Sequence, residues 1–181
     1  MPQRHKARQY ALQMLFQWEI GRQEPRRIED GFWRIARAEK TTRAFANDLF
    51  EGVVKNAPEL DTLVSAHTDN WRLERLALID RAILRLGVHE LRSGKTPRKV
   101  VLNEAVELAK TFSSEEAAGF VNGVLDSVLH ALLEKLKQES GSERKNRREL
   151  RGTLVRPYQK QSGYTAKLFN SGCVSTSAVP T

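Results

Sequence analysis

Apolar residues recur at intervals of three and four over the first 140 positions, and this period constrains the fold more than any other feature of the sequence. A representative stretch places leucine and isoleucine at Leu76, Ile79, Ile83 and Leu86. This spacing puts the apolar side chains on one face of a helix. No alternating run bounded by turn residues, which would indicate a strand, occurs in this region. The sequence therefore predicts an all-α fold.

Glycine, proline and hydroxyl residues divide this region into about six to seven helices. The glycine and proline boundaries are Gly21, Pro25, Pro58 and Gly94. Proline is favoured in the first turn of a helix and glycine just after the last. Ser113 and Glu116 have the S-x-x-E spacing of a capping box, which predicts the start of the last helix. The short connections predict a compact domain of antiparallel helices.

Positive charge is concentrated at the carboxyl end of the chain. The formal net charge is +8, and residues 137–181 hold 9 basic and 3 acidic side chains. The helical apolar period also stops there, and serine, glycine and threonine become frequent. We therefore predict a helical domain over residues 1–138 and a basic, disordered tail over residues 139–181. The tail is either a solvated extension or a non-specific electrostatic arm for RNA.

Several classes of protein are disfavoured by what the sequence lacks. Its single cysteine, Cys173, leaves no intrachain disulfide and no cysteine metal cluster. No apolar run reaches the roughly 18 residues of a membrane span. The basic start is not followed by the apolar core of a signal peptide, so we expect a cytoplasmic protein.

Catalytic and metal-binding patterns are also missing from the sequence. None of the four histidines has a partner at the spacing of a zinc helix. Glu104 and Glu107 lie one turn apart, but their alternation with apolar residues is typical of a half-exposed helix. We therefore expect no enzyme activity, no metal and no cofactor.

The first helix carries an aromatic residue away from its main apolar stripe. At 100° per residue, Phe16 points opposite to the stripe of Ala7, Met14 and Trp18. The helix begins with the cationic residues Arg4, His5, Lys6 and Arg8. Such a face suits stacking of single-stranded RNA bases beside phosphate-binding cations. The alternative is a central helix that is buried on two sides.

Four segments resemble the transcription antitermination factor NusB family. They are residues 4–18 (RHKARQYALQMLFQW), 83–91 (ILRLGVHEL), 101–110 (VLNEAVELAK) and 120–126 (FVNGVLD). The resemblance extends over about residues 4–136, which is nearly all of the predicted domain. It implies an all-α fold of two packed three-helix bundles without enzyme activity.

The resemblance also implies partners. Members of this family bind the boxA element of ribosomal RNA leader transcripts together with the ribosomal protein NusE. They act within a complex that keeps RNA polymerase from terminating. The state of self-association stays open, a homodimer included, and so does the RNA sequence preferred by this chain.

Site residues follow from the resemblance position by position. The RNA-binding positions are Arg4, His5, Lys6, Arg8, Phe16, Arg85, Glu116 and Phe120. Asp80 matches an acidic position that faces NusE. Phe16 stands where the family often has tyrosine, so a hydrogen bond from a hydroxyl is lost there. His5 replaces a more usual arginine.

Three residues in the matched segments are poor helix formers. Asn103 and Asn122 are expected to lie inside helices, where a hydrogen bond between helices would explain them. Gly123 predicts the close approach of another helix.

Two other functions compete with RNA-dependent antitermination. A domain similar to NusB also precedes RNA cytosine methyltransferases, but we expect no such activity from a chain whose one cysteine is Cys173. The other is a protein adaptor that binds NusE but not RNA. Replacing Arg4, Lys6 and Arg8 with alanine would distinguish the adaptor from an RNA-binding protein.

Overall fold

The computed structural model describes residues 2–68 and 75–153, with side chains for residues 3–68 and 75–138. These described residues form six helices and no strand. The helices are α1 (Pro2–Gly21), α2 (Pro25–Ile35), α3 (Lys40–Ser65), α4 (Leu78–Ser93), α5 (Arg98–Phe112) and α6 (Glu115–Thr153). The predicted all-α fold is confirmed.

The helices form two bundles of three. In the first, α1 packs against α2 and α3. In the second, α4 packs against α5 and comes close to α6 where Gly87 faces the side chain of Leu125. Helices α1 and α3 also contact α4, so the two bundles share one core.

All six helices contribute to this core. Its largest fully buried apolar residues are Leu12, Met14, Leu15, Phe50, Leu60, Ile83, Leu84, Leu86, Leu108 and Leu125. Burial of one such side chain stabilises a fold by about 1.5–3 kcal/mol relative to exposure. The apolar period of the sequence is therefore the main source of stability in this domain.

Most predicted helix ends agree with the structure. Helix α1 ends at Gly21, α2 begins at Pro25, and α4 is followed by Gly94. Gly94 has a φ of 63°, a left-handed conformation that glycine adopts without strain. Helix α4 begins at Leu78, and residues 69–74 lie outside the described residues.

The predicted helix start at Pro58 is wrong. Pro58 lies inside α3, which continues without interruption to Ser65. An interior proline costs roughly 3 kcal/mol because it lacks an N–H donor. Buried residues on both sides, Val53 and Ala57 before it and Leu60 and Val64 after it, offset that cost. Tertiary packing therefore overrides the local signal.

The predicted capping box at Ser113 and Glu116 is also wrong in register. Ser113 terminates α5, because its N–H donates to the carbonyl of Ala109 at 2.8 Å. The next residue caps α6: the Ser114 hydroxyl accepts a hydrogen bond from the Ala117 N–H at 3.1 Å. Two adjacent serines thus serve two different helices.

Helix α6 extends past the predicted start of the disordered tail. The chain divides into two compact units, Met1–Gly141 and Ser142–Thr181. The described part of the second unit has helical backbone as far as Thr153. Its sequence is rich in glutamate, arginine and lysine, which have high helix propensity without any apolar period. The domain bounds 1–138 and 139–181 stay a prediction, and residues 154–181 lie outside the described residues.

The explanations offered for three poor helix formers are wrong. Asn103 and Asn122 are exposed, and neither side chain makes a hydrogen bond within the part of the chain that the structure describes. Nothing lies within 4 Å of the position that a Cβ would take at Gly123. These residues therefore face solvent and make no contact between helices.

Candidate nucleic-acid interface

Two of the predicted RNA-binding cations are exposed at the start of α1. The Arg4 guanidinium lies 5.3 Å from the ring centroid of Phe45, and the Lys6 ammonium lies 5.1 Å from that of Tyr10. Neither cation has a carboxylate within 4.0 Å among the described residues. Aromatic faces hold both side chains in place while leaving their charge available to an anion.

His5 connects α1 to α5. It is half-buried, and its Nδ1 lies 2.9 Å from Oε2 of Glu104. Its Nε2 lies 3.0 Å from the side-chain nitrogen of Gln9. Both ring nitrogens are therefore engaged within the protein, which limits His5 to a contact at the edge of an RNA surface.

Arg8 does not lie on this surface. Only 2% of the residue is exposed, and its guanidinium donates two hydrogen bonds of 2.8 Å to the carboxylate of Glu90. Thr96 donates a third hydrogen bond to the same carboxylate at 3.0 Å. This corrects the prediction of a direct phosphate contact, because a buried and paired guanidinium is not available to a ligand. Arg8 instead ties α1 to α4.

Arg85 is buried in the same way, with 5% exposure. It donates to both carboxylate oxygens of Asp61, at 2.6 and 2.7 Å, and to Glu19. Burial opposes the charge of Arg85, but these carboxylates outweigh it and raise the pKa of the guanidinium. Burial also acts against the Glu19 charge, yet Arg85 and Arg81 lower the pKa of that carboxyl. The predicted RNA contact of Arg85 is corrected to a structural ion pair that joins α1, α3 and α4.

Phe16 is exposed on the opposite side of α1 from the main apolar stripe. Its exposure is 37%, which confirms the predicted position away from that stripe. The ring borders a surface pocket of about 440 Å³ with residues of α1, α4 and α5: Leu12, Gln13, Gln17, Ile79 and Phe112. Leu12 and Leu15 are fully buried, so α1 is also a central helix. Helix α1 is therefore buried on two sides, as the alternative interpretation predicts, and Phe16 is an exposed residue at the edge of the second buried face.

Three predicted site residues line one pocket, although one was predicted to bind the protein partner and two were predicted to bind RNA. Asp80, Glu116 and Phe120 line a pocket of about 350 Å³ between the starts of α4 and α6. The Oδ1 atom of Asp80 is buried and has no hydrogen-bond partner among the described residues. Glu116 is exposed, and its own backbone N–H and the Ser114 hydroxyl lower the pKa of its carboxyl. The structure thus places the predicted partner-binding residue beside two predicted RNA-binding residues.

Sequence reasoning missed the residues that support the basic start of α1. Phe45 and Tyr10 hold Arg4 and Lys6, and Glu90 and Asp61 pair with the two buried arginines. The sequence separation between Arg8 and Glu90 is 82 positions. No local spacing could have indicated such pairs. The period of the helices indicates only that these positions lie near the boundary of the core.

Two absences bear on the chemistry of this surface. Within the described residues, no group of three histidine, cysteine, aspartate or glutamate side chains could hold a metal ion. None of the helices described is both long enough and apolar enough to cross a membrane. The surface contains cations, aromatic rings and helix starts, which are groups that bind anions and stack on bases.

Comparison with known proteins identifies related chains. The model of the NusB family matches residues 5–130. The transcription antitermination protein NusB of Koribacter versatilis is 45% identical over 139 residues, covering 76% of this chain and 95% of that protein. A structure of NusB from T. maritima superposes with a TM-score of 0.64 at 32% identity, covering 70% of this chain and 90% of that one. A structure of the antitermination factors NusB and NusE in complex with double-stranded RNA gives a TM-score of 0.67 at 29% identity, with 72% and 98% covered.

Proposed function

The chain belongs to the NusB family, and from that premise we propose that it is a non-enzymatic transcription antitermination factor. It binds boxA-type single-stranded leader RNA of ribosomal RNA operons together with the ribosomal protein NusE. The observation that carries this proposal is the exposed ring of Phe16 on the helix that also presents Arg4 and Lys6. The similarity to a protein solved with NusE and RNA supports the same partners.

The proposed RNA surface uses only groups that a strand can reach. Phe16 and Phe120 offer rings, Arg4 and Lys6 offer charge, and His5 and Glu116 lie at its edges. Arg8 and Arg85 do not contact RNA in this proposal. Their ion pairs hold α1 against α4 and thereby position the exposed residues. The four cations predicted from the sequence thus divide into two binding residues and two positioning residues.

NusE is proposed to dock at the pocket of Asp80, Glu116 and Phe120. A buried carboxylate oxygen without a partner favours an incoming donor. Glu116 and Phe120, two residues of the proposed RNA surface, line the same pocket, so NusE bound at Asp80 would lie beside the RNA. The assembly is proposed to act in the cytoplasm within the antitermination complex of RNA polymerase.

The experiment that tests this function is a titration of boxA-like RNA with the full chain, with and without NusE. A scrambled RNA of the same length and composition is the control. We expect a preference for the boxA-like strand that grows when NusE is present. If Arg4 and Lys6 each neutralise one phosphate, the log–log slope of affinity against salt is about −1.4. Equal affinity for both strands in the presence of NusE would refute the proposal.

Replacing Phe16 tests the surface directly. Phe16→Ala is expected to cost about 1–3 kcal/mol of RNA affinity through the loss of stacking. The melting temperature should change little, because the ring is exposed. Ile20→Ala, at a residue of α1 that is 64% exposed, is the matched control and should leave RNA affinity unchanged. A large fall in melting temperature for Phe16→Ala would show that the ring belongs to the core.

One observation favours a second candidate function. Arg8 and Arg85 are both buried in ion pairs, so fewer cations are available for RNA than the sequence suggests. The alternative is therefore an adaptor that binds NusE without RNA. An Arg4→Ala and Lys6→Ala double variant separates the two functions in assays of NusE capture and RNA affinity. Loss of RNA binding with retained NusE binding supports the RNA-binding protein, whereas the adaptor predicts no change in either assay.

A further inference from the structure

Cations recur at every third residue where α2 ends and α3 begins. They are Arg34, Arg37, Lys40 and Arg43, and we call them the basic corner. Arg34 lies in the last turn of α2, Arg37 in the connection, and the other two in the first turn of α3. All four residues are exposed, and residues 34–43 contain only one acidic residue beside them. The proposed RNA surface includes none of the four.

The charge of the basic corner is not neutralised by the protein. None of its four cations has a carboxylate within 4.0 Å among the described residues. The acidic residue of this segment is Glu39, whose Oε2 accepts a hydrogen bond from the side-chain amide of Gln3 on α1 at 2.8 Å. By contrast, Arg8, Arg81 and Arg85 are all paired with carboxylates. Unpaired cations that lie close together attract an anionic partner.

Aromatic rings fix the shape of the basic corner. The Arg43 guanidinium lies 5.2 Å from the centroid of the Trp33 ring, and the Trp33 Nε1 donates to Oδ1 of Asn47 at 2.8 Å. The Tyr10 ring contacts the Trp33 ring edge to face at a centroid distance of 5.4 Å. The Tyr10 hydroxyl donates to the Arg37 carbonyl at 3.4 Å, which ties the connection to α1. Cations on a fixed backbone lose less conformational entropy when they bind a ligand.

The basic corner is continuous with the proposed RNA surface. The ammonium of Lys6 lies 5.1 Å from the centroid of the Tyr10 ring, and Tyr10 in turn contacts Trp33. Because Trp33 also contacts Arg43, three successive contacts of 5.1, 5.4 and 5.2 Å connect Lys6 with the basic corner. An RNA strand bound at Lys6 would therefore meet these cations where it leaves the proposed surface on this side.

The basic corner suits phosphates better than bases or a protein. Trp33 is half-buried, its ring faces Arg43, and its N–H is already donated, so it is not free to stack on a base. Ile35 is 88% exposed, but one isolated apolar side chain does not form the buried anchor that a protein partner needs. Contacts to phosphates fix a strand in place without reading its sequence. The chemistry therefore favours an RNA backbone over an acidic protein.

We propose that the basic corner binds the sugar–phosphate backbone of the RNA that flanks the boxA-type element, without selecting its sequence. The four cations donate to phosphate oxygens, and the planar guanidinium of each arginine can make two such hydrogen bonds at once. This inference rests on the proposed function and extends the RNA-contacting surface from α1 to α2 and α3.

The test compares two double variants of the full chain with the wild type. Arg37→Gln with Lys40→Gln removes two charges from the basic corner, and neither side chain makes a hydrogen bond or ion pair among the described residues. Lys55→Gln with Lys135→Gln is the matched control, because it removes two exposed cations that also lack an ion pair in the described structure. The basic residues after position 136 are the same in all three proteins, so their attraction for RNA cancels in the comparison.

Each protein is titrated with two RNAs in the presence of NusE. One RNA is the boxA-like element alone, and the other is the same element extended by uridines on both sides. We expect all three proteins to bind the short RNA equally. The wild type and the control should bind the extended RNA more tightly than the short one.

The basic-corner variant should bind the extended RNA about fivefold more weakly than the wild type does. Its log–log salt slope on that RNA should be shallower by about 1.4, which corresponds to two phosphates that are no longer neutralised. Exchanging the uridines for cytidines should change none of these values, because the contacts are to the backbone.

Equal affinity of the wild type and the basic-corner variant for the extended RNA overturns the proposal. An equal loss in the control variant also overturns it, because the effect would then come from net charge alone. NusE binding without RNA is measured in parallel and should not change. A loss of NusE affinity with unchanged affinity for the extended RNA would assign the basic corner to a protein partner instead. If the first variant does not fold, Arg34→Gln with Lys40→Gln makes the same comparison.

Failure of the proposed function gives a different result. If the chain shows no preference for boxA-like over scrambled RNA, that function fails. A strand of uridines alone then decides the basic corner, because the basic-corner variant should bind it more weakly than the control variant does. Equal affinity of these two variants for the uridine strand overturns the proposal.

Discussion

Arg4 and Arg8 lie one turn apart on α1, yet their guanidinium groups meet different surroundings. Arg4 is exposed against Phe45, whereas Arg8 is buried against Glu90. An exposed cation gains little from a surface ion pair and remains available to a ligand. A buried cation must be paired and hydrogen-bonded at all times. The depth of each residue therefore decides whether it binds RNA or holds the helices together.

Breaking the buried pair is expected to be costly. Glu90→Ala removes both hydrogen bonds from the buried Arg8 guanidinium to its nearest carboxylate and leaves it the Glu104 carboxylate at 3.5 Å. We expect a loss of about 3–5 kcal/mol in the free energy of unfolding. The double variant Arg8→Met and Glu90→Met removes both charges and should lose much less. Urea denaturation of the two proteins checks this. Equal losses would show that packing and not charge dominates at this site.

A second buried carboxylate makes stability depend on pH. Glu29 on α2 accepts a hydrogen bond from Asn47 at 3.0 Å, and one of its oxygens is buried without a partner among the described residues. Burial, together with the carboxylates of Glu51 and Asp30, raises the pKa of Glu29 to about 7. Arg26 acts weakly in the other direction. The neutral form of Glu29 is therefore favoured in the folded protein.

The raised pKa of Glu29 predicts the sign of a pH effect. Its ordinary value is 4.5, so the folded state binds the proton more tightly than the unfolded chain does. This contribution to the free energy of unfolding is complete below about pH 4.5 and is lost as pH rises through about 7. We expect the free energy of unfolding to fall by roughly 1–3 kcal/mol over this range. The variant Glu29→Gln should not show this decrease. Urea midpoints between pH 5 and pH 8 measure it.

The exposed Glu107→Gln is the control for this experiment, because Glu107 belongs to α5 and lies outside the cluster of Glu29. Its pH profile should match that of the wild type. If the urea midpoint of Glu29→Gln changes with pH as much as that of the wild type, the pH dependence belongs to other groups.

At the scale of helices, close approach between elements explains some glycines and not others. A Cβ at Gly87 of α4 would lie 2.7 Å from Cδ1 of Leu125, which is itself fully buried. At Gly123 of α6 nothing lies within 4 Å of that position. Gly87 is therefore required where α4 and α6 meet, and Gly123 is not required by packing.

These two glycines form a matched pair of substitutions. Gly123→Ala should stabilise the protein by about 0.5–1 kcal/mol through helix propensity. Gly87→Ala gains the same propensity but overfills the space beside Leu125, which costs about 1–3 kcal/mol. We therefore expect Gly87→Ala to be less stable than Gly123→Ala by about 1–3 kcal/mol in thermal or urea denaturation. Equal stability of the two variants would show that Leu125 moves aside without cost.

At the scale of the whole molecule, the net charge is a poor guide to the RNA surface. Most of the positive excess follows residue 136, whereas the proposed surface relies on Arg4 and Lys6. Several other cations of the helical domain are neutralised by ion pairs, among them Arg8, Arg81 and Arg85. Specific recognition and non-specific attraction therefore originate in different parts of the chain.

Ending the chain after Gln138 separates these two contributions. The cut removes 8 basic and 3 acidic residues. Affinity for scrambled RNA should fall, and its log–log salt slope should become shallower by about 0.7 for each phosphate that is no longer neutralised. Affinity for boxA-like RNA with NusE should fall less. Equal losses for both strands would place specific contacts in residues 139–181.

The sequence predicted the all-α class and the ends of several helices, because these depend on the local period of apolar residues and on glycine and proline. It also placed Phe16 away from the main apolar stripe of α1, since one helix is enough to compute that angle. It failed at Pro58 and at the two serines before α6. At Pro58 distant packing outweighed the local preference. At the serines, either of two adjacent hydroxyl residues could have capped the helix.

The sequence by itself determined the fold class, the helical stripes that form the core and the basic character of the start of α1. Only the tertiary structure decided which cations are available to a ligand. Arg8 and Glu90 are 82 positions apart, and Arg85 and Glu19 are 66 apart, so no local pattern relates them. The physical reason is that burial and charge pairing depend on neighbours in space, whereas helix formation depends largely on neighbours in sequence.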